Sequence, residues 1–182
     1  MIANASFKDR GSWWTYAVVL GVVMVLPCLP IQGKPASDAE QFTRQLANAT
    51  GYFLLARHVR DHAVGRGSPA SVILLGSMYG QVASYPDAYQ GICPASPVAY
   101  HTLKGGIIQM TRHLAVYWAR DGIRVNCLSP GPFPGPNAPK ELAGRLNEKL
   151  PMQRMGRPHE LKGALLLLAS DAGSYIKNGR AS

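Results

Sequence analysis

A chain of 182 residues that is 47% hydrophobic and 16% charged can bury one core, which excludes a disordered or fibrous protein. The formal charge of +9 comes from Lys and Arg scattered without a run of five or more, so they read as solvated helix faces and not as a nucleic-acid tract. Three cysteines, Cys28, Cys93 and Cys127, form no Cys-x-x-Cys pair, which argues against a disulfide framework or zinc site and for a reducing, cytoplasmic compartment.

The first element is the uncharged run of residues 13–26, WWTYAVVLGVVMVL, which follows Lys8 and Arg10 and ends at Pro27. It is short of the ~18–20 residues a spanning helix needs, and its flank lacks a clean cleavage pattern. Three readings stand side by side: a buried strand or helix within an insertion, a membrane or export segment, or a stretch foreign to the fold. Residues 34–38 are polar and connect. Residues 38–66 then predict a long helix, because Phe42, Leu46, Ala49, Phe53, Ala56, Val59 and Ala63 recur every three to four positions. Gly65 and Gly67 stop it. The β-branched run 71–76, SVILLG, predicts a buried parallel strand, and residues 77–95 a loop.

A second long helix is predicted over 96–121, with Ser96 as N-cap and Pro97 in the first turn. Leu103, Ile107, Met110, Leu114 and Tyr117 make its stripe, and Ile108, Ala115 and Trp118 widen it. Gly122 ends it. Residues 123–129 predict another buried strand, 130–139 a loop with five prolines, 140–149 a short helix and 158–170 an amphipathic helix. His58 and His62, four apart, lack a Glu or Cys to complete a metal site, so no metal is expected. Helices alternating with strands imply an α/β fold, here a partial Rossmann-like, doubly wound parallel sheet with flanking helices. Ligands bind such sheets beyond the carboxyl ends of the strands, which places a site at loops 77–95 and 130–139.

Tyr100 and Lys104 lie four apart on the second helix and share one face. A tyrosine hydroxyl titrates near ~10. A lysine ammonium one turn away is expected to pull it down, which makes a general acid/base.

The string SPVAYHTLKGGIIQMTRHLAVYWARDGIRVNCLSPGP resembles the active-site helix, strand and Pro-Gly turn of the short-chain dehydrogenase/reductase family. VILLGSMYG, LANATGYF and GRPHELKGALLLLASDAGSYI resemble three further segments of that family, in the same order. The resemblance covers residues 37–177. It implies an NAD(P)-dependent oxidoreductase acting on a small alcohol or ketone. Tyr100 would exchange the proton, and Lys104 would tune Tyr100 and bond the nicotinamide ribose. Ser77 would bond the substrate oxygen, and Asn48 would hold a water linking Lys104 to solvent. Pro130 and Gly131 would lie against the nicotinamide. Asn4 would contact the cofactor, because Ile2-Ala-Asn4-Ala-Ser6 resembles the family's Asn-Asn-Ala-Gly element. A lid would be built from 130–149; Tyr79 and Tyr85 either line the substrate pocket opposite it or are surface tyrosines of the loop. The helices 38–66 and 96–121 would build a homo-oligomer.

The family's opening βαβ unit and its glycine-rich pyrophosphate turn have no counterpart here. The chain is therefore expected to be one incomplete Rossmann-type domain, with 13–31 inserted and the last strand missing. Weak or no dinucleotide binding is expected of it, and NAD cannot be separated from NADP. A non-catalytic dimerisation partner and a protein associated with a membrane through 13–26 are the alternatives.

Overall fold

The computed structural model describes residues 16–20, 36–133, 135, 138–177 and 180–181. Its centre is a sheet of four parallel strands in the order β1 (Tyr16–Leu20), β2 (Ala70–Leu75), β3 (Ile123–Leu128) and β4 (Arg180–Ala181). Parallel neighbours need crossovers, and helices supply them. These are α1 (Asp38–Gly65) before β2 and α3 (Val98–Tyr117) between β2 and β3. After β3 come α4 (Lys140–Lys149) and α5 (Lys162–Ala169). A short helix α2 (Pro86–Tyr89) interrupts the loop after β2.

The period of two along β2 sorts its side chains between two layers. Val72 and Leu74 join Tyr52, Ala56, Leu103, Ile107 and Val125 under α1 and α3. Ile73 faces the other way and packs with Leu128 and Leu168 of α5. Both faces are covered, so β2 is nearly apolar throughout, whereas β3 carries Arg124 and Asn126, whose side chains bond carbonyls of Leu168 and Ile176. Truncating a fully buried side chain such as Ile73 or Ile107 to alanine costs about 2–5 kcal/mol.

Helix α1 begins where the sequence puts it. The Ser37 hydroxyl accepts from the Glu40 amide at 3.3 Å, and the Glu40 carboxylate accepts from the Ser37 amide at 2.7 Å. Its apolar stripe is only partly buried: Ala56 and Ala63 are covered, but Phe42 is 41% and Leu46 70% exposed. The reason is length. Twenty-eight residues span about 42 Å, whereas a six-residue strand spans about 20 Å. The first turns of α1 run past the carboxyl end of β2.

Three boundaries differ from expectation. Pro97, not Ser96, is the N-cap of α3, and it supplies no side-chain cap. Its extended backbone holds the entry, and its carbonyl accepts from the Tyr100 amide at 3.0 Å. The predicted helix 158–170 is split, because Pro158 and the Glu160 carboxylate, which accepts from the Arg157 amide at 2.7 Å, set up a 3-10 turn before α5. Arg180 and Ala181 pair with Cys127 and Leu128, so two residues of a further strand stand where the sequence predicts none. Gly122 closes α3 as predicted, at φ +74°, a left-handed conformation that glycine adopts without strain.

Residues 16–20 of the apolar run form β1, in parallel register with β2 from Tyr16 opposite Ala70 to Leu20 opposite Leu74. The remainder of 13–31 and Asn4 lie outside the described residues, apart from that strand. Among the described residues no helix is long and apolar enough to cross a membrane. The cysteine reading needs correction. Cys93 is disulfide-bonded, and Cys127 is a buried free thiol. Cysteine spacing along a chain does not limit which thiols the fold brings together.

Candidate active site

At the carboxyl end of β2 the chain leaves the sheet through Ser77 into a 3-10 turn, Met78–Gly80. That turn lies against α3 because Gly80 has no side chain. A Cβ there would sit 2.6 Å from the backbone of Lys104. The loop after β3 joins it, since the Pro130 carbonyl accepts from the Met78 amide at 3.0 Å. Ser77, Tyr100, Lys104, Pro130 and Gly131 therefore gather at the end of the sheet where ligands bind in this class of fold.

Lys104 is 4% exposed and donates to the Leu75 carbonyl at 2.8 Å. Its Nζ lies 5.6 Å from the Tyr100 ring centroid and 5.7 Å from that of Tyr52. Burial brings its pKa down to about 8, with the nearby Cys127 opposing the shift. Tyr100 is half-buried, and burial raises its pKa, while a hydrogen bond with the Ser77 hydroxyl works the other way. The net direction is therefore upward, opposite to the expected one, because burial dominates. Spacing places the two groups on one face, but the dryness of that face depends on what packs over it. At neutral pH Tyr100 is a phenol and can give a proton. The Ser77 hydroxyl also accepts from the Tyr79 amide at 3.2 Å, which fixes its position.

Asn48 points elsewhere. Its side-chain amide donates to Gln45 on its own helix at 3.0 Å. One turn further on, Tyr52 is 3% exposed and its hydroxyl donates to the same Leu75 carbonyl at 3.4 Å. Tyr52 was not among the residues the sequence singled out. Its only signal there was an aromatic residue one turn after Asn48.

A second group of aromatic side chains flanks the pair. The Tyr79 and Tyr89 hydroxyls are 2.9 Å apart, and burial pushes Tyr79 well above its ordinary range. His101 stacks on Tyr79 with centroids 4.7 Å apart and meets Tyr100 edge-on at 6.4 Å. Tyr85, a candidate for the pocket lining, is 42% exposed and lies under the Lys149 ammonium at 5.1 Å. Lys149 also pairs with Asp87 at 2.5 Å, and Arg145 donates to the Gln90 carbonyl at 2.7 Å. These contacts dock α4 onto segment 85–90. An open groove of about 550 Å³ runs along that segment, lined by Asp87, Tyr89, Gln90 and Ile92 among others. It flanks the Tyr100–Lys104 pair and does not contain it.

Residues 32–180 match the family model described as enoyl-(acyl carrier protein) reductase. The chain is 33% identical over 156 residues to D-arabinitol 2-dehydrogenase (ribulose-forming) of Candida tropicalis, covering 82% of this chain and 52% of that protein. It is 34% identical over 157 residues to the NADH-dependent L-xylulose reductase of Ambrosiozyma monospora, covering 82% and 54%. Among solved structures it is similar to a short-chain dehydrogenase of Leptospira borgpetersenii with bound NAD+. That likeness has a TM-score of 0.75 and 29% identity, over 90% of this chain and 60% of the other. A short-chain dehydrogenase/reductase of Mycobacterium marinum gives 0.69 and 32%, over 90% and 59%. The chain thus spans about half the length of the curated relatives it matches. The family match over most of the chain and the shared parallel sheet agree, and the chain belongs to the short-chain dehydrogenase/reductase family.

Proposed function

We propose that this chain carries the catalytic half of an NAD(P)-dependent oxidoreductase that interconverts a small alcohol and its carbonyl compound. The observation that carries the reading is the convergence of Tyr100, Ser77 and a buried Lys104 at the carboxyl ends of β2 and β3. When bound, the nicotinamide supplies or accepts the hydride. The residues that would hold its reactive end are Tyr100, Lys104, Pro130 and Gly131. In the reductive direction the protonated Tyr100 hydroxyl gives its proton to the carbonyl oxygen as that oxygen gains charge. The Ser77 hydroxyl donates to the same oxygen and steadies it. The Lys104 ammonium, next to the Tyr100 ring, stabilises the phenolate left behind. Asn48, one turn before Tyr52 on α1, would have to turn its amide away from Gln45 to hold a water on the way to Lys104. In the oxidative direction each proton moves the other way.

The names of the relatives favour a polyol or ketose as substrate. Exposed apolar side chains on α1 and α3 favour a homo-oligomer built on those two helices. The test is cofactor-linked reduction of a pentulose, followed at 340 nm at high cofactor concentration. Tyr100→Phe is expected to lose about 10²–10⁴-fold in turnover, the usual worth of a positioned acid. Turnover that survives this substitution unchanged would remove Tyr100 from the chemistry.

A further inference from the structure

We propose that Tyr52 is a positioning residue for Lys104: its ring cradles the ammonium, and its hydroxyl holds the Leu75 carbonyl that the ammonium must leave to reach a ligand. The proposal rests on the reading of Lys104 as a functional residue.

The geometry is specific. Lys104 and Tyr52 approach one carbonyl from two helices, at 2.8 and 3.4 Å. A carbonyl oxygen has two lone pairs and can accept both. The ammonium makes the short, charge-assisted bond. The hydroxyl is held beyond the ~2.7–2.8 Å usual for O–H···O bonds, so it can close in once the ammonium departs. A buried carbonyl that loses its donor is costly, and Tyr52 removes that cost at the moment Lys104 turns toward a ribose or substrate oxygen. The Tyr52 ring lies 5.7 Å from the ammonium, inside the ~6 Å at which an aromatic face attracts a cation. The ring therefore favours the charged form while the hydroxyl competes for its acceptor. Among the described residues, Tyr100 on its own helix and the Cys127 thiol on β3 also face Lys104.

These two actions have opposite signs, and two substitutions separate them. Tyr52→Phe keeps the ring and gives Leu75 wholly to Lys104, so the ammonium is held harder and its titration midpoint rises. Tyr52→Leu also removes the ring, so its midpoint falls below that of Tyr52→Phe. The Lys104 midpoint is read on the full chain by trace acylation with acetic anhydride across a pH series, with peptide mass spectrometry. The rise in Tyr52→Phe is expected to be about half a pH unit, the size of a modest net hydrogen bond, and the drop from Tyr52→Phe to Tyr52→Leu about half a unit or more, the size of a cation–π contact. Matched circular dichroism spectra establish that the variants fold. An unchanged midpoint in Tyr52→Phe, or equal midpoints in the two variants, reduces Tyr52 to a space-filling residue and overturns the proposal. Because the readout is the ionisation of one amine, it decides the matter whether or not the chain turns over substrate.

Discussion

At the scale of the residue, the decisive quantity is the dryness around Lys104. Burial favours its neutral form in the folded chain, with a pKa of about 8 against 10.5 for the free side chain. Between those values the unfolded chain binds more protons than the folded one, so folding stability rises with pH across that window. Tyr100 works against it only toward the alkaline end, where the unfolded tyrosine begins to ionise while burial holds the folded one protonated. Urea midpoints are expected to be higher at about pH 9.5 than at about pH 7. Lys104→Met should abolish most of that slope and gain on the order of 1–3 kcal/mol at neutral pH, since it removes a buried charge. A slope unchanged in the variant would mean that some other group titrates in this range.

At the scale of the element, the turn after β2 is what turns two helical residues into a site. Ser77 reaches Tyr100 only because Met78–Gly80 lies flat on α3. Gly80→Ala places a methyl group 2.6 Å from the Lys104 carbonyl oxygen and backbone, which cannot retreat within the helix. The turn must lift instead. We expect a loss of about 1–3 kcal/mol in urea denaturation, and a fall in turnover much larger than the loss of stability explains. An alanine variant with wild-type stability would show that the turn does not need this close approach. The length of α1 matters in the same way. It runs past β2, and Asn48, one turn before Tyr52, donates its amide to Gln45 of its own helix.

At the scale of the whole molecule, Phe42 and Leu46 on α1 and Val98, Val116 and Tyr117 on α3 leave apolar area in solvent. His113 stacks on Tyr117 with centroids 4.2 Å apart on that face. Sedimentation velocity is expected to show a homo-oligomer that shifts to smaller species in a Leu46→Glu, Val116→Glu double variant. A wild-type chain that sediments as a monomer at all concentrations would sink that assembly. Cofactor affinity belongs to the same scale. With no glycine-rich pyrophosphate turn in the sequence, a tryptophan fluorescence titration with NADH should show binding weaker than micromolar.

Much of this was written in local patterns. The helix stripes, the β-branched residues of β2 and β3 and Gly122 depend on neighbours a few residues apart, so the sequence alone determined the α/β alternation. The ordered motifs around Asn48, Ser77, Tyr100 and Pro130 likewise determined the family and the end of the sheet where its site lies. Only the tertiary structure decided the environment of those residues. It buried Lys104, raised Tyr100 instead of lowering it, placed Tyr52 on the Leu75 carbonyl, turned Asn48 toward Gln45 and put residues 16–20 beside β2. Desolvation and shared acceptors arise from groups distant in sequence, such as Tyr52 and Leu75, and no local periodicity encodes such meetings.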